Sequence, residues 1–277
     1  MSNNANAEKL NTIYEYIRIA HGGGVYEKLD QSLDPRPPEM LYDFVESLEL
    51  TAGSIALDVG CATGKYTCEL ARRFNFQVKG IDILDDHIEK ARQAVTKQGL
   101  AEQVSFTKGS MESIPFEDAA FDLIWCRDVL EQVPSLQQSF RECGRVLKPN
   151  GNMVLFTTYA TELMETKEAT RIYNALGVVS ENMSLEYVED CFKDAGLQIL
   201  SRQTIGSEVT QYYEESGGRY TTELMRLARM IHAKEKFVAE LGQTNYEVTS
   251  ALYHWGIYQL LGKLSFIIYT LRKTTSN

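Results

Sequence analysis

Two aspartates and a glycine-rich turn have the residue types and spacing of a ligand site. In the segment ALDVGCATGKYT an apolar run ends at Asp58, a tight turn follows at Gly60, and a helix is expected from Gly64 onward. Glycine permits a positive φ and, because it lacks Cβ, lets a ligand approach the backbone and the free N–H groups of a helix start. Asp82 ends the next apolar run, 22 positions after Gly60. That spacing suits a carboxylate that binds both hydroxyls of a ribose, so the pattern predicts a nucleoside-bearing ligand.

The glycine spacing differs from that of a dinucleotide-binding loop. Such a loop needs G-x-G-x-x-G, but counted from Gly60 the third position is Ala62 and the sixth is Lys65. A nicotinamide-dependent oxidoreductase is therefore disfavoured. Asp58 stands two residues before Gly60, which is awkward for a pyrophosphate and useful for a cationic amino group. We therefore expect S-adenosylmethionine, whose methionine end is zwitterionic. The structural alternative is that Asp58 and Asp82 only cap the helices that follow them.

Alternating strands and helices must position these residues. From residue 52 to about 159, β-branched or aromatic runs alternate with amphipathic stretches, which is the pattern of βαβ units around a parallel sheet. Ser184 is expected to cap a helix through about Asp194, and Gly196 to end it in a left-handed turn. The predicted strands are 54–59, 76–83, 104–108, 121–126, 152–159, 197–205 and 263–272. The fold class is therefore α/β.

A long helical interruption separates the last two predicted strands. It cannot pass through a sheet, so we expect it to lie over the carboxyl ends of the strands together with N-terminal helices near 7–20 and 38–49. The three glycines at 22–24 would act as a hinge. The predicted parts of the chain are an N-terminal helical lid (1–51), a cofactor-binding core (52–205), a helical lid insertion (206–262) and a last core strand with its tail (263–277).

Composition excludes several classes of function. The chain has 277 residues with 28 Lys and Arg against 38 Asp and Glu, a net charge of −10, which argues against a nucleic-acid binder. Five cysteines without a C-x-x-C pair argue against a disulfide framework or a zinc ribbon and favour a reducing cytoplasm. No apolar run approaches the ~20 residues of a membrane helix, and no His, Cys, Asp and Glu residues have metal-ligand spacing. We therefore predict a cytoplasmic protein with no membrane span and no metal.

Five ordered segments resemble a known family. They are DVGCATGKYT, GIDIL, FTKGSMESIPF, FDLIWCRDVLEQVP and RVLKPNGNMVLFT. In this order and spacing they are similar to the motifs of the class I S-adenosylmethionine-dependent methyltransferases, and most to the small-molecule branch of the ubiquinone and menaquinone type. The resemblance covers about 52–205 and the final strand. It implies a Rossmann-like, seven-stranded methyltransferase sheet whose last strand is antiparallel.

The resemblance also implies roles for matched residues. Asp58, Gly60 and Gly64 would line the methionine end of the cofactor, Asp82 would hold the ribose, and Ile83 would pack beside adenine. The remaining predicted cofactor-binding residues are Cys61 and Ala62 in the turn, Ser110 and Met111 at the adenine edge, and Cys126 and Arg127 beneath methionine.

Three residues depart from the family pattern. Ala62 stands where glycine is frequent, which should only narrow the turn. Ser110 stands where an acid usually accepts from the adenine amine, so adenine recognition would use its hydroxyl or the backbone. Gln132 stands where many relatives carry histidine, so no imidazole is available there as a base.

The candidate catalytic residues are His21, His254 and Glu214. Both histidines belong to segments expected to face the acceptor, and Glu214 lies in the Tyr-rich cluster 211–220 after the sixth strand. Surface or packing roles are the alternative for each histidine, and a polar loop with aromatic anchors is the alternative for the cluster.

The sequence predicts methyl transfer to a small apolar or aromatic molecule, at oxygen, nitrogen or carbon. The reactive power in such a reaction belongs to the cofactor, and the protein aligns, desolvates and, for some acceptors, removes a proton. The alternative is a protein of this fold that binds the cofactor but acts as a non-methylating cyclase or a regulatory module. The predicted partner is a small-molecule substrate, and the lid helices offer a surface for a homo-oligomer.

Overall fold

The computed structural model describes the backbone of residues 2–22 and 24–274 and the side chains of residues 6–20 and 24–274. Within these residues seven strands form one sheet in the order β3-β2-β1-β4-β5-β7-β6. The strands are β1 (Ile55–Val59), β2 (Gln77–Asp82), β3 (Val104–Lys108), β4 (Phe121–Arg127), β5 (Leu147–Ala160), β6 (Leu197–Ile205) and β7 (Leu264–Lys273). Strand β7 runs antiparallel to β5 and β6, and the other pairs are parallel. The predicted sheet is confirmed.

Helices cover the sheet and continue beyond it. They are α1 (Ser2–Gly22), α2 (Val25–Leu29), α3 (Leu41–Glu46), α4 (Lys65–Phe74), α5 (Asp85–Lys97), α6 (Leu136–Val146), α7 (Thr166–Leu176), α8 (Leu185–Asp194), α9 (Glu208–Gly217), α10 (Arg219–His232), α11 (Lys234–Leu241) and α12 (Gln243–Leu260). Short 3-10 turns lie at Pro38–Met40, Leu130–Gln132 and Ser180–Met183. The Ser184 hydroxyl accepts from the Tyr187 N–H at the start of α8, and Gly196 has φ +67° after its end, as the sequence predicts.

Strand register brings the ligand-binding segments to one edge of the sheet. Val59 at the end of β1 lies opposite Ile81 of β2 and Cys126 of β4. The loops that follow these strands therefore leave side by side from the carboxyl edge. Because the chain order reverses between β1 and β4, this edge is the switch point at which open α/β sheets bind ligands.

Strand β5 begins earlier than the sequence pattern indicates. Leu147, five residues before the predicted strand 152–159, pairs with Phe121, and the register then shifts so that Leu123 pairs with Asn152. The KPNG segment (148–151) lies within this irregularity, where Asn150 has φ +62°. The strand therefore starts with a β-bulge and extends further toward the N-terminus than the predicted range 152–159.

The helical insertion packs against α7 beside the sheet. Ile172 and Tyr173 of α7 are buried with Ala251 and Tyr258 of α12, and Leu264 at the start of β7 joins this cluster. Helices α9 to α12 occupy most of the interval 206–262. The assignment of this interval and of 1–51 as lids stays a prediction.

Helix α1 keeps several large apolar side chains exposed, among them Leu10, Ile13 and Ile17. No described residue of α1 lines either of the two cavities discussed below. Of the three hinge glycines, Gly24 has φ +72° and Gly23 lies outside the described residues, so the hinge role stays a prediction. No helix of the described ranges is sufficiently long and apolar to cross a bilayer.

Strand β7 connects the two hydrophobic layers of the core. Ile267, Tyr269 and Leu271 pack with the layer that contains α6 and α8, while Phe266 and Ile268 pack with the layer that contains α4 and α5. Successive side chains of a strand point to opposite faces, so this single strand is buried on both sides. Strand β7, antiparallel between β5 and β6, therefore contributes side chains to both layers.

Replacing Ile268 with Ala is expected to lower the free energy of unfolding by about 2–5 kcal/mol, because it removes buried methylene groups and leaves a cavity. Ile268 is 0% exposed. The exposed Leu200 of β6 is the matched control, for which Leu200→Ala should cost well under 1 kcal/mol. Urea denaturation measures both, and equal losses would contradict this account of the core.

Candidate active site

Loops after the first four strands enclose a cavity of about 440 Å³ at the carboxyl edge of the sheet. We call it the glycine-turn cavity. Its wall includes Gly60, Ala62, Asp82, Ile83, Leu84, Gly109, Ser110, Met111, Asp128, Gln132 and Val133. Ile83 and Leu84 leave large parts of their side chains exposed at the edge of this cavity. Six of the predicted cofactor-binding residues therefore share one wall: Gly60, Ala62, Asp82, Ile83, Ser110 and Met111.

The turn after β1 strongly favours glycine at its first position. Gly60 has φ +74°, and a Cβ at this residue would lie 2.3 Å from Cγ2 of Val129. The N–H groups of Gly60 and Cys61 both donate to the Ile81 carbonyl, at 2.9 Å. Ala62 also has a positive φ, +46°, a strained backbone conformation for a residue with a Cβ. The turn is therefore tight, and it is fixed to strand β2.

Asp82 joins the two loops at the cavity wall. Its Oδ2 accepts from the Ala62 N–H at 3.0 Å, and its Oδ1 accepts from the Leu84 N–H at 2.9 Å. His87 Nδ1 lies 3.2 Å from the same Oδ1. A carboxylate oxygen has two lone pairs, so Oδ2 keeps one acceptor site beyond its bond to Ala62. This side chain thus holds the turn in shape and can still accept from a ligand hydroxyl.

Asp58 lies beneath the turn and not in the cavity wall. It is 2% exposed, and its Oδ2 accepts from the Thr67 hydroxyl at 2.6 Å. Burial raises its pKa to about 7, the negative charge of Asp82 adds to this rise, and the Thr67 hydrogen bond opposes it. Cys61 and Gly64 also lie behind the wall, and Gly64 begins α4 with φ +81°.

Cys126 and Arg127, the two predicted cofactor-binding residues at the end of β4, lie in different environments. Cys126 is buried in the core, and burial raises the pKa of its thiol. Arg127 lies over the rings of Tyr66 and Phe156, 4.4 Å and 5.3 Å from their centroids, and its Nε donates to Asp128 Oδ2 at 3.1 Å. The guanidinium therefore faces away from the glycine-turn cavity, into a neighbouring one.

This neighbouring cavity has a volume of about 340 Å³, and five aromatic side chains are among those that line it. We call it the aromatic cavity. Its apolar lining includes Phe156, Leu176, Val178, Tyr213, Tyr220, Leu252, Trp255 and Phe266, and its polar lining includes Arg127, Asp128, Glu131, Gln132, Thr158 and Arg219. Asp128 and Gln132 line both cavities. The two spaces therefore adjoin at the segment after β4.

Comparisons with known proteins identify this arrangement. A family model described as a methyltransferase domain matches residues 57–155. The methyltransferase GfsG of Streptomyces halstedii is 31% identical over 186 residues, which cover 64% of this chain and 66% of that protein. The 27-O-demethylrifamycin SV methyltransferase of Amycolatopsis mediterranei is 26% identical over 228 residues, 82% of this chain and 79% of that protein. The chain belongs to the class I S-adenosylmethionine-dependent methyltransferases.

Solved structures show the same fold at lower identity. The geranyl diphosphate C-methyltransferase of Streptomyces coelicolor, solved with S-adenosyl-L-homocysteine, superposes with a TM-score of 0.66 at 16% identity over 85% of this chain and 76% of that one. The [4+2]-cyclase SpnF superposes with a TM-score of 0.67 at 23% identity over 86% of this chain and 82% of that one.

A match to the bifunctional protein BioHC of Teredinibacter turnerae, 30% identical over 61% of this chain, spans 31% of that relative.

The glycine-turn cavity fits the cofactor of this methyltransferase family. S-Adenosylmethionine carries a ribose, for which Asp82 Oδ2 offers an acceptor site. It also carries an adenine ring, for which the exposed side chains of Ile83 and Leu84 offer an apolar surface. The glycine at position 60 lets the Val129 side chain pack directly against the turn at the cavity wall. The roles of the individual residues toward the cofactor remain predictions.

The candidate catalytic residues of the methyltransferase lie outside both cavities wherever their side chains are described. His254 lines a separate cleft between α7 and α12, and its Nδ1 is 2.7 Å from the Ser250 carbonyl oxygen. Glu214 accepts from the N–H groups of Tyr220 and Thr221 and from the Thr221 hydroxyl at the start of α10, which is a capping role. The side chain of His21 lies outside the described residues.

Glu131 is a residue that sequence reasoning missed. It lines the aromatic cavity, it is 7% exposed, and it directly precedes Gln132 at the junction of the two cavities. The sequence did contain a signal, since an acid in the apolar context VLEQV after a buried strand is unusual unless it has partners. The family pattern pointed to the missing histidine at position 132 and not to the acid beside it.

Gly60→Ala is expected to destabilise the protein and to weaken S-adenosylmethionine binding at least tenfold. The new Cβ requires a disfavoured φ and collides with Val129. Gly53→Ala is the matched control, because Gly53 has φ +84° but no atom within 4 Å of the point where a Cβ would lie. It should carry only the backbone cost of about 1–2 kcal/mol and bind the cofactor normally. Calorimetric titration and thermal unfolding separate the two effects, and equal behaviour of the two variants would contradict a steric role for Gly60.

Asp58 is expected to make the ligand-free protein less stable as the pH rises. A carboxyl group whose folded pKa lies above its unfolded value stabilises the fold below the unfolded pKa, and this contribution is lost as the pH rises through the folded pKa. The loss should extend from about pH 4 to about pH 7 and reach roughly 4 kcal/mol. Asp58→Asn should reduce this dependence and leave the part that Glu131 contributes, whereas Asp43→Asn at an exposed position should not change it. Urea denaturation at pH 5 and pH 8 tests it, and an unchanged slope in Asp58→Asn would refute it.

Proposed function

We propose that the protein transfers the methyl group of S-adenosylmethionine to a small molecule held in the aromatic cavity. The observation that carries this proposal is the junction of the two cavities at Asp128 and Gln132. A cofactor with its ribose at Asp82 and an acceptor among the aromatic rings would meet across this segment. Proximity and orientation of this kind are the main contribution that a protein makes to such a reaction.

The lining of the aromatic cavity supports an acceptor with an apolar or aromatic body. Phe156 and Phe266 stack with their centroids 5.1 Å apart, and Trp255 and Tyr220 contribute further ring surface. Small-molecule sites are usually apolar with a few polar groups that set orientation. The names of two groups of relatives, a rifamycin methyltransferase and sterol 24-C-methyltransferases, agree with an acceptor of this kind.

Helices of the interval 206–262 provide much of the wall around the proposed acceptor. Tyr213 of α9, Arg219 and Tyr220 of α10, and Leu252 and Trp255 of α12 all line the aromatic cavity. This supports the proposal that the insertion is a lid whose residues select the acceptor.

The five unpaired, buried cysteines support a cytoplasmic location, since thiols stay reduced there.

A second candidate is a cyclase that binds the cofactor without transferring its methyl group. It is favoured by the fold shared with SpnF and by Gln132, which replaces the histidine of many relatives. Incubation with S-adenosylmethionine labelled in the methyl group and a metabolite extract distinguishes the two. Label in a product supports the methyltransferase, and tight binding with no transfer supports the cyclase.

Leu252→Trp is expected to reduce methyl transfer more than tenfold while the affinity for S-adenosylmethionine stays within twofold of the wild type. Leu252 lines the aromatic cavity but not the glycine-turn cavity, so the larger side chain should exclude the acceptor alone. Leu260→Trp on the same helix is the matched control, because Leu260 lines neither cavity. Label transfer and calorimetry measure the two effects. Full transfer by Leu252→Trp would remove the aromatic cavity from the proposal.

A further inference from the structure

The backbone around Glu131 is held rigidly at the junction of the two cavities. The residue lies in the 3-10 turn Leu130–Gln132 directly after β4. The Asn182 side-chain amide donates to the carbonyls of Leu130 and Val133, at 2.7 Å and 2.8 Å. The Val179 N–H donates to the Glu131 carbonyl at 2.8 Å. These hydrogen bonds fix the position of the Glu131 backbone, and with it the point from which the side chain projects.

The carboxyl group of Glu131 is held by one oxygen. Its Oε1 accepts from the Thr157 hydroxyl at 3.0 Å and from the Thr158 N–H at 2.7 Å, both on β5. No other described residue donates a hydrogen bond to its Oε2, and Glu131 lines the aromatic cavity. One oxygen is therefore anchored, and the other is left for a molecule in the aromatic cavity.

Four polar side chains of the aromatic cavity lie at this junction or directly beside it: Glu131, Asp128, Gln132 and Thr158. Arg219 and Gln259 reach the cavity from α10 and α12, together with the apolar Leu252 and Trp255. A bound molecule would therefore place its polar end at the junction and its apolar body among the rings. An alkene carbon at the junction would leave these polar groups without partners, which is costly.

Two arginines line the aromatic cavity and can stabilise negative charge on an acceptor oxygen. Burial raises the pKa of Asp128, and the charges of Arg127 and Arg219 oppose this rise. Arg127 also donates to Asp128 and Arg219 to Glu223, so neither is an isolated cation. Negative charge that develops on an oxygen as it loses its proton would be stabilised by them.

We propose that Oε2 of Glu131 accepts the proton of an acceptor hydroxyl, so that the substrates are alcohols or phenols with an apolar body. This inference rests on the proposed function. When bound, S-adenosylmethionine supplies a methyl carbon whose bonding electron pair stays on sulfur as the carbon–sulfur bond breaks, leaving a neutral thioether. The acceptor oxygen forms the new carbon–oxygen bond with its own electron pair. Its proton passes to Glu131, which becomes a neutral acid and later returns the proton to solvent.

The ionisation of Glu131 agrees with this role. Burial raises its pKa to about 7, the negative charge of Asp128 adds to the rise, and the hydrogen bonds from Thr158 and Thr157 oppose it. A general base works best when its pKa lies near the operating pH. The other titratable or charged groups around it are Cys126, Arg127, Asp128, Tyr213, Arg219 and Tyr220. Activity should therefore rise with pH through the neutral range as Glu131 loses its proton.

The first experiment asks which atom receives the methyl group. The full chain is incubated with S-adenosylmethionine carrying a ¹³C methyl and a metabolite extract, and the product methyl is assigned by NMR. An O-methyl signal supports the inference. An N-methyl or C-methyl signal overturns it and leaves the proposed function intact, whereas no transfer at all overturns both.

The second experiment asks whether Glu131 removes the proton, and uses the hydroxyl acceptor so identified. Glu131→Gln keeps an oxygen for Thr157 and Thr158 and should lower kcat by about 10²–10⁴, with KM for the acceptor and affinity for S-adenosylmethionine little changed. The rise of kcat with pH should disappear. Glu117→Gln at an exposed position is the matched control and should behave as the wild type. Equal kcat and pH profiles in Glu131→Gln and the wild type would overturn the inference.

A third measurement keeps the test valid if Glu131→Gln folds poorly. Thr157→Val removes one hydrogen bond that favours the ionised carboxylate, so the rise of kcat should move to higher pH. In protein with ¹³C-labelled glutamate carboxyls, one signal should titrate near pH 7 in the wild type and at higher pH in Thr157→Val. The absence of a neutral-range glutamate titration in the wild type would overturn the inference without any activity assay.

Discussion

The carboxylate of Asp82 is the contact on which the proposed cofactor site depends. It accepts backbone N–H groups from the turn after β1 and from the loop after β2, and so fixes two segments that are 22 residues apart in the chain. Neither N–H has a partner within a regular helix or strand, so the carboxylate satisfies two backbone donors that secondary structure leaves unpaired. A ribose-binding role and a structural role therefore coincide in one side chain, because the oxygen that holds the turn also faces the cavity wall.

Much of the fold follows from local patterns in the sequence. The apolar runs at 54–59 and 121–126 become β1 and β4 because β-branched and aromatic residues suit strands buried on both faces. The glycine turn at Gly60 can be recognised in the sequence because few other residues adopt its positive φ. The bulge before β5 was not predicted, because KPNG has the composition of an ordinary turn and only pairing with Phe121 extends the strand. Such pairings depend on residues that are distant in the chain.

The residues around the proposed acceptor are harder to predict from the sequence. His254 and Glu214 were chosen by residue type and by their place in the insertion, but helix geometry decides which face of α12 meets the cavity. Trp255 lines the aromatic cavity, while its neighbour His254 lines a separate cleft. One residue along a helix rotates the side chain by about 100°. Without the packing of α12 against α7, no feature of the sequence indicates which of the two residues points inward.

The site contains two buried acids, Asp58 and Glu131, that have different surroundings. Asp58 lies beneath the glycine turn with the Thr67 hydroxyl as its partner, and Glu131 lies beside the aromatic cavity with an oxygen left open. Burial raises the pKa of both to about 7, so each destabilises the folded chain when ionised. Near Asp58 a cationic ligand group would relieve this cost, and near Glu131 a proton from the acceptor would. Glu131 lines the aromatic cavity and Asp58 lies behind the glycine-turn cavity, so the acceptor and the cofactor would each meet a different acid.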